Sequence, residues 1–553
     1  MVYRRRENHG RTPPSSSYSK SPADSFLDLN FHDLAVRLGL ADPSLLHPPQ
    51  LNDNPKTYIA NLPTEILSQI FIHCIPTDQF IVPSAIQAPM SLTQVCSHWR
   101  DVAFYTPDLW SSIHINYKDP VEDIPLTEAW LARSGTRPLS ISLSVDFDER
   151  PQQHILDVLC RYSIRWKHVR FNFRHLFCPP MYHLDLAENA VPELSTFEFH
   201  ARDVSNINTS QITRLLVTAP KLRELTWIDD LADTDMLLEL PLHQLARLSL
   251  SMDHGTVDYV QLLHRCTNLE HIRITRPLSP GQAPDTPLFL SKLSSLNIPH
   301  DLLPMLDHLI LPALKDVRIY TDGGVADRHA QTVPFGAFGA HPYLQHSQMY
   351  SVSHPSLHHN EDSNGATIPG TSVIPTDFWD PTPLLSLIER SGCAISALSI
   401  NAYANEDAVL ACLRTLSRSL VKLSIEGPLV GDKLFASLTI PNSGKERGDG
   451  RSVLCPILRD LNLETSIASS PGVLTRMVQS RSEAGALCPE TQPALRLRLP
   501  DGHRDLEGLR EIEGSAFKLT VIQRAQKRSH TVGPSGSRTR AGLFFRRKPC
   551  ASR

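Results

Sequence analysis

Three groups of residues in the sequence could act as metal ligands, acid–base catalysts or nucleophiles. The stretch DFDER brings together the carboxylates of Asp146, Asp148 and Glu149, as a metal site or an acid–base site would. Six histidines lie between residues 329 and 359. Ten cysteines are scattered along the chain without a CxxC pair. Imidazole and thiolate groups bind metals, and a thiolate can also attack a substrate.

None of these groups has the arrangement that such chemistry requires. Metal ligands need fixed spacing on a rigid frame, whereas the histidines fall in a stretch without apolar periodicity. The DFDER carboxylates are also typical of solvated charges in a loop, and the cysteines have no paired base. The sequence has no P-loop, no HExxH, no GxSxG elbow and no GxGxxG after a strand. We therefore expect a protein that is not an enzyme, with no catalytic residue, metal or cofactor.

The composition narrows the class of protein further. With 553 residues and 41% hydrophobic content, the chain should contain several globular units. The net charge of -4 argues neither for nor against nucleic acid, and we expect none as a partner. The N-terminal stretch MVYRRRENHG lacks the apolar core of a secretory signal, and no apolar run reaches the ~18 residues of a membrane span. Scattered cysteines favour a reduced compartment, so we expect an intracellular protein of the cytoplasm, the nucleus or both.

A repeat dominates the middle of the chain. Apolar residues recur in the pattern LxxLxL, first at Trp166-Val169-Phe171 and last at Leu458-Leu461-Leu463. Before residue 320 the pattern returns every 21 to 28 residues, and after residue 380 it returns at intervals of 25 and 38. This period is typical of leucine-rich repeats. Alternation within each repeat predicts a short strand with one buried face, and stacking must complete the core. The predicted strand centres are Val169, Phe197, Leu225, Leu248, Ile272, Leu296, Val317, Leu398, Leu423 and Leu461.

Composition divides the rest of the chain into segments. Residues 1–55 are rich in Ser, Pro and Arg, which predicts disorder. Residues 321–380 lack apolar periodicity and are predicted to be a flexible insert between the array's two parts. No acidic residue follows Glu513, and basic residues accumulate there. The predicted segments are a disordered 1–55, a helical 56–115, repeats over 116–320 and 381–500, the insert 321–380, and a basic, largely disordered tail 501–553.

Two apolar helical motifs precede the repeats. LPTEILSQIF begins at Leu62, and VCSHWRDVAFYTPDLW begins at Val95. At 3.6 residues per turn, the apolar residues of each motif share one helix face. So small a unit cannot bury this much apolar surface alone, which indicates an interface. Packing on the chain's own repeats is the alternative, and Leu109 and Trp110 fit such an internal seam.

The order of these residues resembles the F-box, a helical module that docks on a Skp-type linker protein in SCF ubiquitin ligases. LPxEIL, VCxxWR and PxLW carry the resemblance, although IHCIPTDQFIVPSAIQAPMSL makes a longer link between the helices than the compact form has. Stretches of the repeat region, such as the one from Trp130 to Leu143, are similar to F-box proteins of basidiomycete fungi. The resemblance implies that ten residues form the linker-binding site: Leu62, Pro63, Ile66, Leu67, Ile70, Phe71, Val95, Cys96, Trp99 and Arg100.

Together these observations predict an α/β protein, with a small all-helical F-box followed by an irregular leucine-rich-repeat solenoid of parallel strands. The resemblance implies an adaptor that binds a Skp-type linker, and through it a cullin, while the repeats bind an unknown protein target. The alternative is a repeat scaffold that acts outside a ubiquitin ligase.

Overall fold

The computed structural model of the protein describes sixteen stretches of the chain. These are residues 62–76, 79–146, 153–174, 190–202, 210–229, 235–252, 258–275, 284, 286–320, 379–401, 405–426, 431–440, 453–463, 469–487, 494–514 and 516–522. The predicted disordered segment 1–55, the predicted insert up to residue 378 with its histidines, and most of DFDER lie outside the described residues.

The described chain begins with a small helical unit. Helix α1 spans Thr64–His73, a 3-10 turn spans Leu92–Gln94, helix α2 spans Ser97–Phe104, and a second 3-10 turn spans Pro107–Trp110. The two apolar motifs therefore form helices, as their periodicity predicts.

A single parallel sheet follows, and its fourteen strands are ordered along it as they are along the chain. Its strands are β1 (Ser112–Tyr117), β2 (Leu139–Asp146), β3 (Trp166–Arg174), β4 (Thr196–Arg202), β5 (Glu224–Asp229), β6 (Arg247–Met252), β7 (His271–Ile274), β9 (Ser295–Pro299), β11 (Asp316–Tyr320), β12 (Ala397–Asn401), β13 (Lys422–Ile425), β14 (Asp460–Leu463), β15 (Leu495–Pro500) and β16 (Phe517–Ile522). Two short strands, β8 (Leu288–Phe289) and β10 (Leu309–Ile310), pair separately.

Parallel pairing requires a crossover between neighbouring strands, and in the described residues a helix makes most of these crossovers. Their bounds are α3 (Pro120–Arg133), α4 (Gln153–Cys160), α5 (Ser210–Val217), α6 (Asp235–Glu239), α7 (Tyr259–Arg265), α8 (Thr382–Ser391), α9 (Glu406–Thr415), α10 (Asp432–Leu438), α11 (Val473–Leu487) and α12 (Leu506–Ile512). Further 3-10 segments span Ser163–Arg165, Leu242–Gln244 and His300–His308. The described residues thus form an α/β structure with a helical N-terminal unit.

The register of the sheet follows the apolar repeat. Val169 pairs with Phe197, and this ladder continues through all ten predicted strand centres to Leu461. Pairing is parallel at every step. The centres align because a shift by one residue would turn each strand's apolar side chains toward water.

One hydrophobic core runs through both the helical unit and the sheet. Phe71 and Trp110 from the helical unit belong to the same cluster of buried side chains as Leu248 and Leu461 from the sheet. Along β15 the burial alternates, with Leu497 and Leu499 inside and the intervening arginines exposed. β15 therefore gives its leucines to this core and its arginines to solvent.

The structure departs from the sequence prediction at both ends of the array. Two strands, β1 and β2, precede the first predicted strand, and β15 and β16 follow the last. Within the tail that is predicted to be largely disordered, residues 506–512 form α12 and residues 517–522 form β16, and Leu509 and Phe517 are fully buried. The apolar alternation of β16 extends the ladder, although basic residues dominate the composition around it. The remainder of the predicted tail lies outside the described residues.

None of the helices in the described stretches of the chain has both the length and the apolar character that a membrane span needs.

Candidate partner-binding site

Helix α1 presents two different apolar stripes. Leu67 and Phe71 are 0% exposed and face the core, whereas Ile66 is 50% exposed and Ile70 is 42% exposed. Each pair is separated by four residues and therefore stacks along one side of the helix, about 100° from the other pair. One stripe anchors the helix, and the other is left in water.

The start of α1 follows from local sequence. Pro63 occupies the N-cap position with φ -53 and ψ 145, and its carbonyl accepts the N–H of Ile66 at 3.1 Å and of Leu67 at 3.0 Å. Proline lacks an N–H, so none is left unsatisfied at this position. The carboxylate of Glu65 lies in the first turn, where the helix dipole favours negative charge.

The second motif begins with an exposed pair, Val95 and Cys96. Val95 is 56% exposed, and Cys96 is the N-cap of α2, where its Sγ accepts the N–H of Trp99 at 3.5 Å. Arg100 donates from Nε to the carbonyl oxygen of Thr93 at 2.9 Å. This bond ties α2 to the preceding 3-10 turn.

Trp99 joins the two helices. Its ring lies 4.9 Å from that of Phe71, measured between centroids, with an interplanar angle of 57°. Trp99 is half-buried and packs against the core. Tilted aromatic pairs at this separation contribute about 0.5–1.5 kcal/mol of stability beyond that from the surface area they bury. The contact holds α1 and α2 in a defined arrangement.

The ten residues implied by the resemblance therefore occupy three environments. The structure exposes five of them and half-buries three, while Leu67 and Phe71 lie in the core and support the surface from beneath. The exposed residues are Pro63, Ile66, Ile70, Val95 and Cys96, and the half-buried ones are Leu62, Trp99 and Arg100. We call these eight residues the apolar face.

Two large, exposed hydrophobic side chains of the same unit lie outside the ten predicted residues. Ile86 and Tyr105 are each 88% exposed. Tyr105 follows the last residue of α2, and Ile86 lies in the link between the helices. The only sequence signal for them is an apolar residue outside the helical periodicity, which is also common at isolated surface positions.

The long link between α1 and α2 packs against the edge of the sheet. The N–H of His114 in β1 donates to the carbonyl of Ile81 at 2.7 Å, and Ser112 Oγ donates to the carbonyl of Gln79 at 2.7 Å. Phe80 is 7% exposed and Ile81 is 2% exposed. An uncovered edge strand invites pairing with other chains, so the extra length of this link protects β1.

A buried seam joins the helical unit to the sheet. Leu109 and Trp110 are fully buried, as expected for residues of an internal seam. The ring of Trp110 meets that of Trp130 edge-on at 4.9 Å, and its Nε1 donates to the carbonyl of Ala103 at 2.8 Å. Arg133 lies 5.4 Å from the Trp110 ring centroid, and burial lowers the pKa of its guanidinium to about 10. The seam fixes the apolar face relative to the array.

The apolar face can bind a partner by burying its exposed apolar side chains against it. Ile66, Ile70 and Val95 expose aliphatic surface, and Glu65 is the acidic group of the first turn of α1. Within the described residues, no group of three His, Cys, Asp or Glu is placed to hold a metal ion, and the seven described cysteines are free thiols. Exposed apolar surface of this kind marks interfaces with other proteins.

Comparison with known proteins assigns this unit. A model of the F-box-like family matches residues 59–116, which include both helices, the link and most of β1. No curated protein is significantly similar to the chain. The chain thus carries an F-box-like domain, a kind of domain that takes part in protein interactions.

Proposed function

We propose that this protein is the substrate-recognition adaptor of an SCF-type ubiquitin ligase. Its F-box-like domain binds a Skp-type linker protein, which connects it to a cullin, and its repeats bind a target protein. The observation that carries the proposal is the exposed apolar stripe of Ile66 and Ile70 within residues that match the F-box-like family. F-box domains generally bind Skp-type linkers. In this proposal the chain itself is not an enzyme and acts in the cytoplasm, the nucleus or both.

The exposure of the stripe supports binding energetically. Complete burial of an isoleucine side chain is worth about 1.5–3 kcal/mol, and Ile66 and Val95 each leave about half of their surface to be covered. Leu67 and Phe71 lie beneath and restrict the movement of α1. A preorganised apolar face loses less conformational entropy on binding than a mobile one.

We also propose that the sheet is an irregular leucine-rich-repeat solenoid, of the kind found in basidiomycete F-box proteins. The chain-order parallel strands and the LxxLxL spacing support this. Bonds between successive repeats support it further. For example, Asn268 Nδ2 donates to the carbonyl of His243 at 2.8 Å, and Lys292 Nζ donates to Asn268 Oδ1 at 2.7 Å.

The repeats would present their polar strand face to the target. Outward positions such as Ser249, Asn297 and Ser399 alternate with buried apolar ones, so a broad polar surface runs along the sheet. Its width comes from the number of strands. In this proposal the F-box covers residues 56–115 and the repeats cover 116–320 and 381–500, as predicted, and the repeats continue past residue 500 to β16, which pairs with β15.

Affinity purification of the tagged full chain tests the adaptor role. We expect a Skp-type protein and a cullin to be recovered together. Recovery of a Skp-type protein without a cullin, or of neither, would favour the alternative of a repeat scaffold that acts outside a ubiquitin ligase. The matched control is Ile66→Asp, which should lose both proteins.

A further inference from the structure

Three arginines on the polar face of the sheet, one each on β3, β6 and β11, form ion pairs with carboxylates. Arg170 binds Glu198 on the neighbouring strand through two hydrogen bonds, of 2.6 and 3.0 Å. Arg247 forms an ion pair with Glu224 on the neighbouring strand, and Arg318 forms one with Asp316 on its own strand. The three arginine side chains are only 23%, 38% and 38% exposed. These parts of the face neutralise their own charge.

The last two strands differ. Outward positions on β15 and β16 carry Arg496, Arg498 and Lys518, all exposed, and no carboxylate. Arg496 is directly opposite Lys518 in the register. Arg496 Nη1 lies 3.8 Å from Asp460 Oδ1 on β14, and the Arg496 side chain remains 71% exposed. In the described part of the chain, neither Arg498 nor Lys518 forms an ion pair.

These three cations form a compact group, which we call the basic cluster. Arg496 and Arg498 are two residues apart on one strand, so their side chains leave the sheet about 6.6 Å apart. Lys518 leaves the adjacent strand about 4.8 Å from Arg496. Exposed like charges this close repel each other, and an anionic partner relieves that repulsion.

The spacing of the cluster fits one kind of anion. In an extended peptide, side chains on one face also recur about every 6.6 Å. A peptide with carboxylates at alternate positions can therefore bind Arg496 and Arg498 at the same time. Guanidinium groups bind carboxylates through paired hydrogen bonds, which favours arginine at such a site.

Nucleic acid fits the cluster less well. Proteins that bind single strands commonly stack aromatic side chains on the bases. The outward positions of β15 and the first outward positions of β16 hold arginine, lysine and threonine, without an aromatic ring. The net charge of the chain is also negative, at -4.

We propose that the basic cluster on β15 and β16 binds an extended acidic segment of the target protein, through Arg496, Arg498 and Lys518. This rests on the proposed function, because it names the chemistry of the target that the repeats would hold. The acidic segment lies along the strand direction, and its carboxylates alternate with residues that face solvent.

Fluorescence anisotropy with the full chain tests the site. The probe is a fluorescein-labelled peptide of five Glu-Ser repeats, titrated at low ionic strength. Arg496→Gln with Arg498→Gln should weaken its binding at least about fivefold, since each exposed ion pair contributes modestly. The matched control, Arg476→Gln with Arg510→Gln, removes the same charge from exposed positions on helices α11 and α12 of the same repeats. It should change binding by less than about twofold.

Three results would overturn the proposal. They are no binding of the peptide by the unmodified chain, equal weakening by both double variants, and tighter binding of a twelve-nucleotide poly-dT through the same arginines. Binding of the Skp-type linker is measured in the same samples. Linker binding without peptide binding refutes this inference alone. Peptide binding that depends on the cluster, without linker binding, supports the acidic-peptide site and refutes the adaptor role.

Discussion

Removal of Trp110 should unfold the F-box-like domain and the first strands of the sheet together. Trp110 is fully buried, meets Trp130 edge-on and donates a hydrogen bond to Ala103. Replacing a buried tryptophan by alanine typically costs about 3–5 kcal/mol. That is a large share of the ~5–15 kcal/mol that stabilises an ordinary domain. Trp110→Ala should therefore raise the fraction of molecules with an open seam by about a hundredfold or more.

Hydrogen exchange followed by mass spectrometry resolves where protection is lost. Trp110→Ala should increase exchange in α1, α2, β1 and β2, while β11 to β14 remain protected. The control is Trp110→Phe, which keeps a ring but loses the indole N–H, and should cost about 1–2 kcal/mol. If α1 and α2 lose protection while β1 and β2 keep it, the two units do not share a core and our account of the seam is wrong.

Three further predictions concern the array. Arg481→Met removes three hydrogen bonds to backbone carbonyl oxygens and should lower the free energy of unfolding in urea by about 3 kcal/mol. An unchanged midpoint would contradict it. Glu406→Gln replaces a carboxylate that accepts two backbone N–H groups at the start of α10 by a neutral amide. It should lower the free energy of unfolding by about 1 kcal/mol in the same assay. Burial lowers the pKa of His168 and His271, so the unfolded chain binds more protons than the folded chain below pH 6.5. The free energy of unfolding should therefore fall as the pH drops below 6.5, so the urea midpoint should be lower at pH 5.5 than at pH 7.5. Replacing both histidines by glutamine should make this difference between the two midpoints smaller.

The strand positions could be predicted because the apolar pattern has one physical solution. In LxxLxL, the last two leucines alternate with a polar residue, and only a strand puts both on one face. Parallel stacking then aligns equivalent residues, which is why Val169 and Leu461 belong to one ladder. The LxxLxL pattern ends at Leu463 and does not predict β15 or β16. β16 also falls in the tail, where the basic composition predicts disorder, whereas the buried Leu497 and Phe517 determine the fold.

The division of helix α1 into two stripes could not be predicted. Ile66 and Leu67 are adjacent and equally apolar, so a helical period assigns both to one broad face. Which of them becomes exposed depends on the direction from which Trp99 and the sheet approach. The link that covers β1 depends on main-chain bonds such as that from His114 to Ile81, which leave no pattern in the sequence.

Direct binding of a purified Skp-type linker to the Ile66→Asp variant tests the central claim most closely. Ile66 is 50% exposed, so the substitution should leave the fold intact, and a circular dichroism melt checks this. Ile164→Asp is the control, because Ile164 is 64% exposed and lies outside the F-box-like domain. An apolar anchor at an interface centre is worth about 2 kcal/mol or more, so Ile66→Asp should weaken linker binding at least about thirtyfold in isothermal titration calorimetry, while Ile164→Asp binds normally. Equal affinity of the two variants for the linker would contradict the claim that the apolar face binds it.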